Sequence, residues 1–271
     1  MSKLIIEAGR GERQYWRDLW KYRELFLFLA WRDLLIRYKQ TAVGVIWAVI
    51  RPALTVLALT MVTKVGKMPT GGIPPALFTA SAMLPWQFFA TALSESGSSL
   101  VGNSNLISKV YFPRLVVPAS SVITSFVDFL ITGVFVAILM VWYHFIPPAT
   151  VWLLPIFMVL VFSVSIGSGL WIAALMVKYR DFRFIIPFIV SYGVLISPVV
   201  LKTSSFPEPW RLLYSLNPLV GIIDGFRWCL LGGENTLYVN GLAASVAGTV
   251  LLLVTGIWYF RKTERTFADT I

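Results

Sequence analysis

Six long apolar stretches, at 42–63, 74–94, 115–143, 149–177, 184–201 and 241–260, occupy most of the chain and are separated by short charged segments. A helix needs about 20 apolar residues to cross roughly 30 Å of hydrocarbon, and each stretch meets or approaches that length. A water-soluble fold of 271 residues has no interior large enough for six such segments. In lipid only helices and closed barrels satisfy their own backbone polar groups, and uninterrupted runs select helices. The expected fold class is therefore an all-α integral membrane protein with six transmembrane helices, and no domain boundary or internal repeat divides residues 1–271.

The formal net charge of +10 is compatible with nucleic-acid binding only if the basic residues share a face. They are instead distributed by topology. With the N-terminus inside, 17 Lys and Arg fall on the cytoplasmic side, five outside, and one, Arg51, within a span. That bias follows the positive-inside rule and predicts both termini in the cytoplasm. The basic groups then face anionic headgroups, not nucleic acid. The first 20 residues are charged, not apolar, so the first span is expected to direct insertion itself.

Ahead of the first span, residues 15–39 interleave Trp16, Leu19, Trp20, Leu27, Trp31, Leu34 and Tyr38 with Arg17, Lys21, Arg32 and Arg37 at three- and four-residue steps. This pattern predicts an amphipathic helix lying along the inner leaflet, aromatic side down. Packing on a cytosolic partner is the plainer alternative. Between the fifth and sixth spans, residues 206–233 are moderately apolar but broken by Pro207, Pro209, Pro218, Gly221 and Gly225. Two short helices that enter the outer leaflet and return fit this better than a seventh span.

Motifs of enzyme chemistry are missing. The chain has no GxxxxGK[ST] loop for nucleotide phosphates. Its one histidine, His144, has no ligand cluster around it in sequence, and its one cysteine, Cys229, can form neither an internal disulfide nor a zinc site. Serines inside spans, such as Ser81, Ser94, Ser125 and Ser165, suit helix packing. The chain is therefore expected to bind no cofactor and to catalyse no reaction of its own.

Two charges inside spans are costly and hence informative. Arg51 lies near the middle of the first span and Asp128 near the centre of the third. In upright helices their Cα atoms differ in depth by only about 6 Å, so mutual neutralisation is one reading. The other has Arg51 facing a polar conduit that receives an anionic headgroup. Aromatics at span ends, including Trp86, Trp142, Trp152 and Trp258, read as an interfacial belt. Trp47, Phe88, Trp171 and Tyr192 are the candidate conduit rings, on which apolar sugar faces can stack.

Five segments, in order along the chain, carry a family resemblance: RYKQTAVGVIWAVIRP at 37–52, KVYFPR at 109–114, YRDFR at 179–183, SPVV at 197–200 and SLNPLVGIIDGFRW at 215–228. Together with the six-span pattern they resemble the polysaccharide-exporting permeases of the type-2 ABC exporter family. Arg51 before Pro52 departs from that pattern. The resemblance implies a homodimer in the bacterial cytoplasmic membrane, with two separate ATPase subunits that hold ATP and Mg. It also implies export of a lipid-linked polysaccharide such as O-antigen, capsule or teichoic acid. A coupling segment carries over to 97–114, where Ser104, Asn105, Lys109, Val110, Tyr111, Phe112, Pro113 and Arg114 are the candidate docking residues. A gate carries over to 41–47, with Thr41, Gly44 and Trp47 beside the basic and aromatic pair Arg37 and Tyr38. Related permeases that export drugs or small lipids are the nearest alternative. A membrane-embedded enzyme or passive channel is a more distant one.

Overall fold

The computed structural model describes residues 12–39, 44–179, 181–232 and 237–267, and every regular element among them is a helix. The first two are α1 (Glu12–Lys21) and α2 (Arg23–Lys39), followed by α3 (Gly44–Val65), α4 (Pro75–Gly102), the short α5 (Ser104–Lys109) and α6 (Val116–Trp142). A 3₁₀ turn (Ala149–Leu153) leads into α7 (Leu154–Lys178), then α8 (Phe182–Ile196). A second such turn (Thr203–Ser205) precedes α9 (Glu208–Tyr214), α10 (Pro218–Leu231) and α11 (Val239–Glu264).

Among the described residues, five helical segments are long and apolar enough to cross a membrane: Ile46–Val65, Pro75–Gly102, Val116–Trp142, Ala149–Lys178 and Val239–Glu264. The expected fifth span, 184–201, differs. Its helix has only 15 residues, about 22 Å at 1.5 Å per residue, short of a bilayer core. Helix α8 stops because Pro198 follows Ser197 and drives it into extended backbone, with ψ at 155°. Residues Ser197, Pro198 and Val199 then run without helix, buried in the protein.

Helix α4 is the axis of the bundle, with neighbours α3, α6, α7, α8 and α10. Its small residues Ala80, Ala82, Ala92 and Ser96 are buried and let those neighbours close in. Around it, Phe88, Phe129, Val161, Ile222 and Phe226 belong to one apolar core. A second core lies where α1 and α2 meet the last turns of α11, and it gathers Leu29, Leu100, Ile107, Phe112, Leu115, Phe260 and Phe267. Helices α7 and α11 touch backbone to backbone at Gly167 and Gly256, where a Cβ on Gly256 would sit 2.3 Å from the Gly167 carbonyl oxygen.

Two further boundaries depart from expectation. The single amphipathic helix expected over 15–39 is two helices with a turn at Tyr22. The second run does not end at residue 94 but continues as helix to Gly102, so the expected coupling segment begins inside α4. Residues 206–233 do contain two short helices: Asn217 caps α10 by accepting a hydrogen bond from the Leu219 N–H, and Gly232, at φ 55°, ends it.

Candidate functional site

The segment after α4 separates into an exposed ridge and a buried root. Asn105, Ser108, Lys109, Val110 and Tyr111 are exposed, whereas Ile107, Phe112 and Pro113 are buried. Tyr111 is 72% exposed and its neighbour Phe112 is 4% exposed. Phe112 is therefore an anchor in the second core, and Pro113 beside it is buried as well. Ser104 and Arg114 are half-buried. The ridge is braced from the turn at Tyr22 and from α2: the Tyr22 hydroxyl donates to the Tyr111 carbonyl at 3.3 Å, and Arg32 donates to the Asn103 side-chain oxygen at 2.7 Å. An exposed tyrosine beside a lysine on a braced ridge suits a protein partner.

Beneath the ridge sits Glu264, the last residue of α11, which sequence reasoning did not single out. The Arg114 backbone N–H donates to Glu264 Oε1 at 2.7 Å, the Tyr15 hydroxyl donates to Oε2 at 2.9 Å, and the Arg114 guanidinium donates to the Glu264 carbonyl at 2.5 Å. Arg261 stacks on the Tyr15 ring at 4.5 Å. Burial, then the Glu264 carboxylate, pushes the Tyr15 phenol well above its ordinary value, so it remains a proton donor. No signal in the sequence singles out one acidic residue in RKTER as a joint.

A second polar cluster joins α2 to the bundle. Arg37 donates to Asp128 on α6 and pairs with Glu95 on α4 at 2.6 Å, while the Tyr38 hydroxyl also donates to Asp128. Asp128 is thus neutralised from α2, not by Arg51. Because Arg32 meets Asn103 at the end of α4 and Arg37 meets Glu95 two turns higher, α2 climbs along the bundle.

Arg51 is exposed and makes no ion pair among the described residues. It shares one stripe of α3 with Trp47, Leu54, Ala58 and Met61, all exposed. These positions recur at three- and four-residue steps, which is one helix face. Gly44 is the first residue of α3, and Thr41 lies outside the described residues. Of the candidate conduit rings, Trp47 and Tyr192 are exposed at 50% and 52%. Trp171 stacks on Tyr259 with centroids 4.1 Å apart and donates to Thr255. Phe88 is enclosed by Phe126, Phe129 and Phe162. Its ring belongs to the subunit core, not to an open surface.

At the opposite end, Arg227 on α10 is 2% exposed. It donates to the Val199 carbonyl at 2.9 Å, covers the Phe78 ring at 3.8 Å, and lies 3.7 Å from the Asp224 carboxylate. Non-helical backbone survives at membrane depth only where protein satisfies it, and Arg227 does this for the unwound stretch after α8. By the positive-inside pattern Arg227 is one of the five Lys and Arg expected outside. The signal present in the sequence was the Asp–Gly–Phe–Arg spacing, which puts Asp224 and Arg227 on one helix face.

A bundle of long apolar helices, with a braced ridge at one end and charges buried within, defines the class as a membrane-embedded transporter subunit. The family model described as "ABC-2 type transporter" matches residues 24–231, and the chain belongs to that family. Among curated proteins it is 28% identical over 258 residues to an O-antigen export system permease protein RfbA of Klebsiella pneumoniae, covering 92% of this chain and 95% of that one. A second Klebsiella pneumoniae protein of that name is 26% identical over 255 residues, with 92% and 95% covered. The Myxococcus xanthus protein of the same name is 26% identical over 258 residues, with 94% and 98% covered.

Proposed function

We propose that this chain is the membrane subunit of an ABC exporter that moves a lipid-linked polysaccharide, such as O-antigen, across the bacterial cytoplasmic membrane. The observation that carries the reading is the similarity to O-antigen export permeases over 92–94% of the chain. The chain holds no phosphate-binding loop, so ATP and Mg belong to a separate ATPase subunit. Two copies of that subunit dock on the ridge at 104–111, with Tyr111, Val110 and Lys109 at its crest and Asn105 and Ser108 beside them.

Two copies of this chain form the conduit. A charge facing acyl chains costs about 2.5–3.5 kcal/mol or more at the membrane centre, so the α3 stripe bearing Arg51 turns inward, to water and to the second copy. Trp47 and Tyr192 supply rings for sugar faces, Arg51 receives the phosphate that links sugar to lipid, and Arg37, Tyr38, Thr41 and Gly44 frame the inner entrance. The sixth crossing is α8 completed by the non-helical stretch 197–201, of which 197–199 are buried. Helices α9 and α10 re-enter from the outer side, and both termini are cytoplasmic in keeping with the basic bias.

The test is purification of this chain with its ATPase and reconstitution with the lipid-linked polymer. Polymer should appear on the far side only with hydrolysable ATP. Equal transport of short lipids or drugs, with no requirement for sugar, would favour the alternative exporter reading.

A further inference from the structure

We infer that Glu264 is a positioning residue for energy coupling: it joins the docking ridge to α11, which carries the displacement to the opposite end of the protein. The inference rests on the ridge being the ATPase docking site. Its observation is the convergence of two segments on the carboxylate and backbone carbonyl of Glu264. The Arg114 N–H and guanidinium, from the root of the ridge, and the Tyr15 hydroxyl, from α1, all bond Glu264 within 2.5–2.9 Å. A push on Tyr111 passes along the short non-helical stretch to Arg114, three residues on, and from Arg114 reaches the end of α11 through two hydrogen bonds.

Helix α11 is continuous along its length. Its 26 residues span about 39 Å at 1.5 Å per residue. Gly256 lies against the Gly167 backbone, so α11 and α7 are in direct backbone contact there. Toward its other end, Ser245 is fully buried and accepts a hydrogen bond from the Gly221 N–H of α10 at 3.0 Å. Closely packed interfaces of this kind pass motion as discrete shifts. Ser245 is thus the output joint, and α10 with its Arg227 prop under Val199 is what it moves.

The experiment compares wild type, Glu264→Ala, Glu264→Gln and Tyr111→Ala in the reconstituted permease–ATPase complex, reading ATPase association, hydrolysis rate and polymer exported per ATP. Glu264→Ala should still bind the ATPase and hydrolyse ATP, while export per ATP falls about tenfold, within the range of typical coupling energies. Glu264→Gln retains one of two side-chain acceptor oxygens and should fall between. The ratio of export to hydrolysis is the diagnostic quantity, since a merely structural loss lowers both together. Unchanged export per ATP in Glu264→Ala overturns the inference, and so does loss of ATPase association or parallel loss of both rates. If Tyr111→Ala leaves association intact, the docking assignment itself fails.

Discussion

Arg37 on α2 hydrogen-bonds Asp128 on α6, a residue 91 positions further along the chain. The same guanidinium pairs with Glu95 on α4, so one cation ties α2 to two long helices. Removing it takes the cation from both the part-buried Asp128 and the half-exposed Glu95, whereas removing Asp128 leaves Arg37 with Glu95. Arg37→Ala should therefore lower the melting temperature in detergent more than Asp128→Ala does. A double-mutant cycle on the pair should give a coupling energy of about 1–3 kcal/mol. Additive effects would reject the pair as an energetic unit.

Tyr111 and Phe112 should separate cleanly. Tyr111 projects from the ridge and Phe112 fills the second core, so Tyr111→Ala should change stability by no more than about 0.5 kcal/mol while weakening ATPase capture. Phe112→Ala should cost about 3–5 kcal/mol. Thermal unfolding and co-purification, measured on both variants, check this. A Tyr111→Ala protein that melts early would show that its side chain supports the fold.

Arg227 should behave as a prop. Arg227→Ala leaves the Val199 carbonyl without its donor and Asp224 without its cation, and a broken buried pair is destabilising by about 3–5 kcal/mol. The loss should appear as faster labelling of a cysteine placed at Val200, beside the unwound stretch. Unaltered labelling would mean that 197–201 holds its shape without the guanidinium.

The order of the helices and most of their extents were legible because hydropathy over 20 residues is a bulk property that few substitutions disturb. What escaped was decided by single side chains. Hydropathy continues smoothly through Pro198, so only the local backbone restriction separates a full span from the 15-residue α8. Tyr111 and Phe112 are equally aromatic and adjacent, and which one turns inward depends on Leu29, Leu100 and Phe260, distant in sequence. Arg51 and Asp128 invited pairing because they were the two conspicuous intramembrane charges. The partner of Asp128 proved to be Arg37, which resembled a surface residue until α2 was seen to climb. Phe88 and Tyr192 were indistinguishable as rings in apolar runs, and their faces depend on α4 being surrounded and α8 being open.

Arg51 yields the sharpest test of the conduit. With Asp128 neutralised by Arg37, and Arg51 exposed on a helix stripe without an ion pair among the described residues, no bond within the described subunit depends on its charge. Arg51→Gln should therefore leave thermal stability within about 0.5 kcal/mol of wild type. In reconstituted vesicles, it should slow export of polymer on a phosphate-linked lipid, and raising ionic strength should slow wild type toward the same rate, since exposed charges are screened within about 10 Å at 0.1 M salt. Arg51→Lys keeps the charge but loses the two-pronged geometry that suits phosphate, so its rate should lie between. Export by Arg51→Gln at the wild-type rate would remove Arg51 from the conduit. A large loss of stability would instead place its partner on the second copy of the chain.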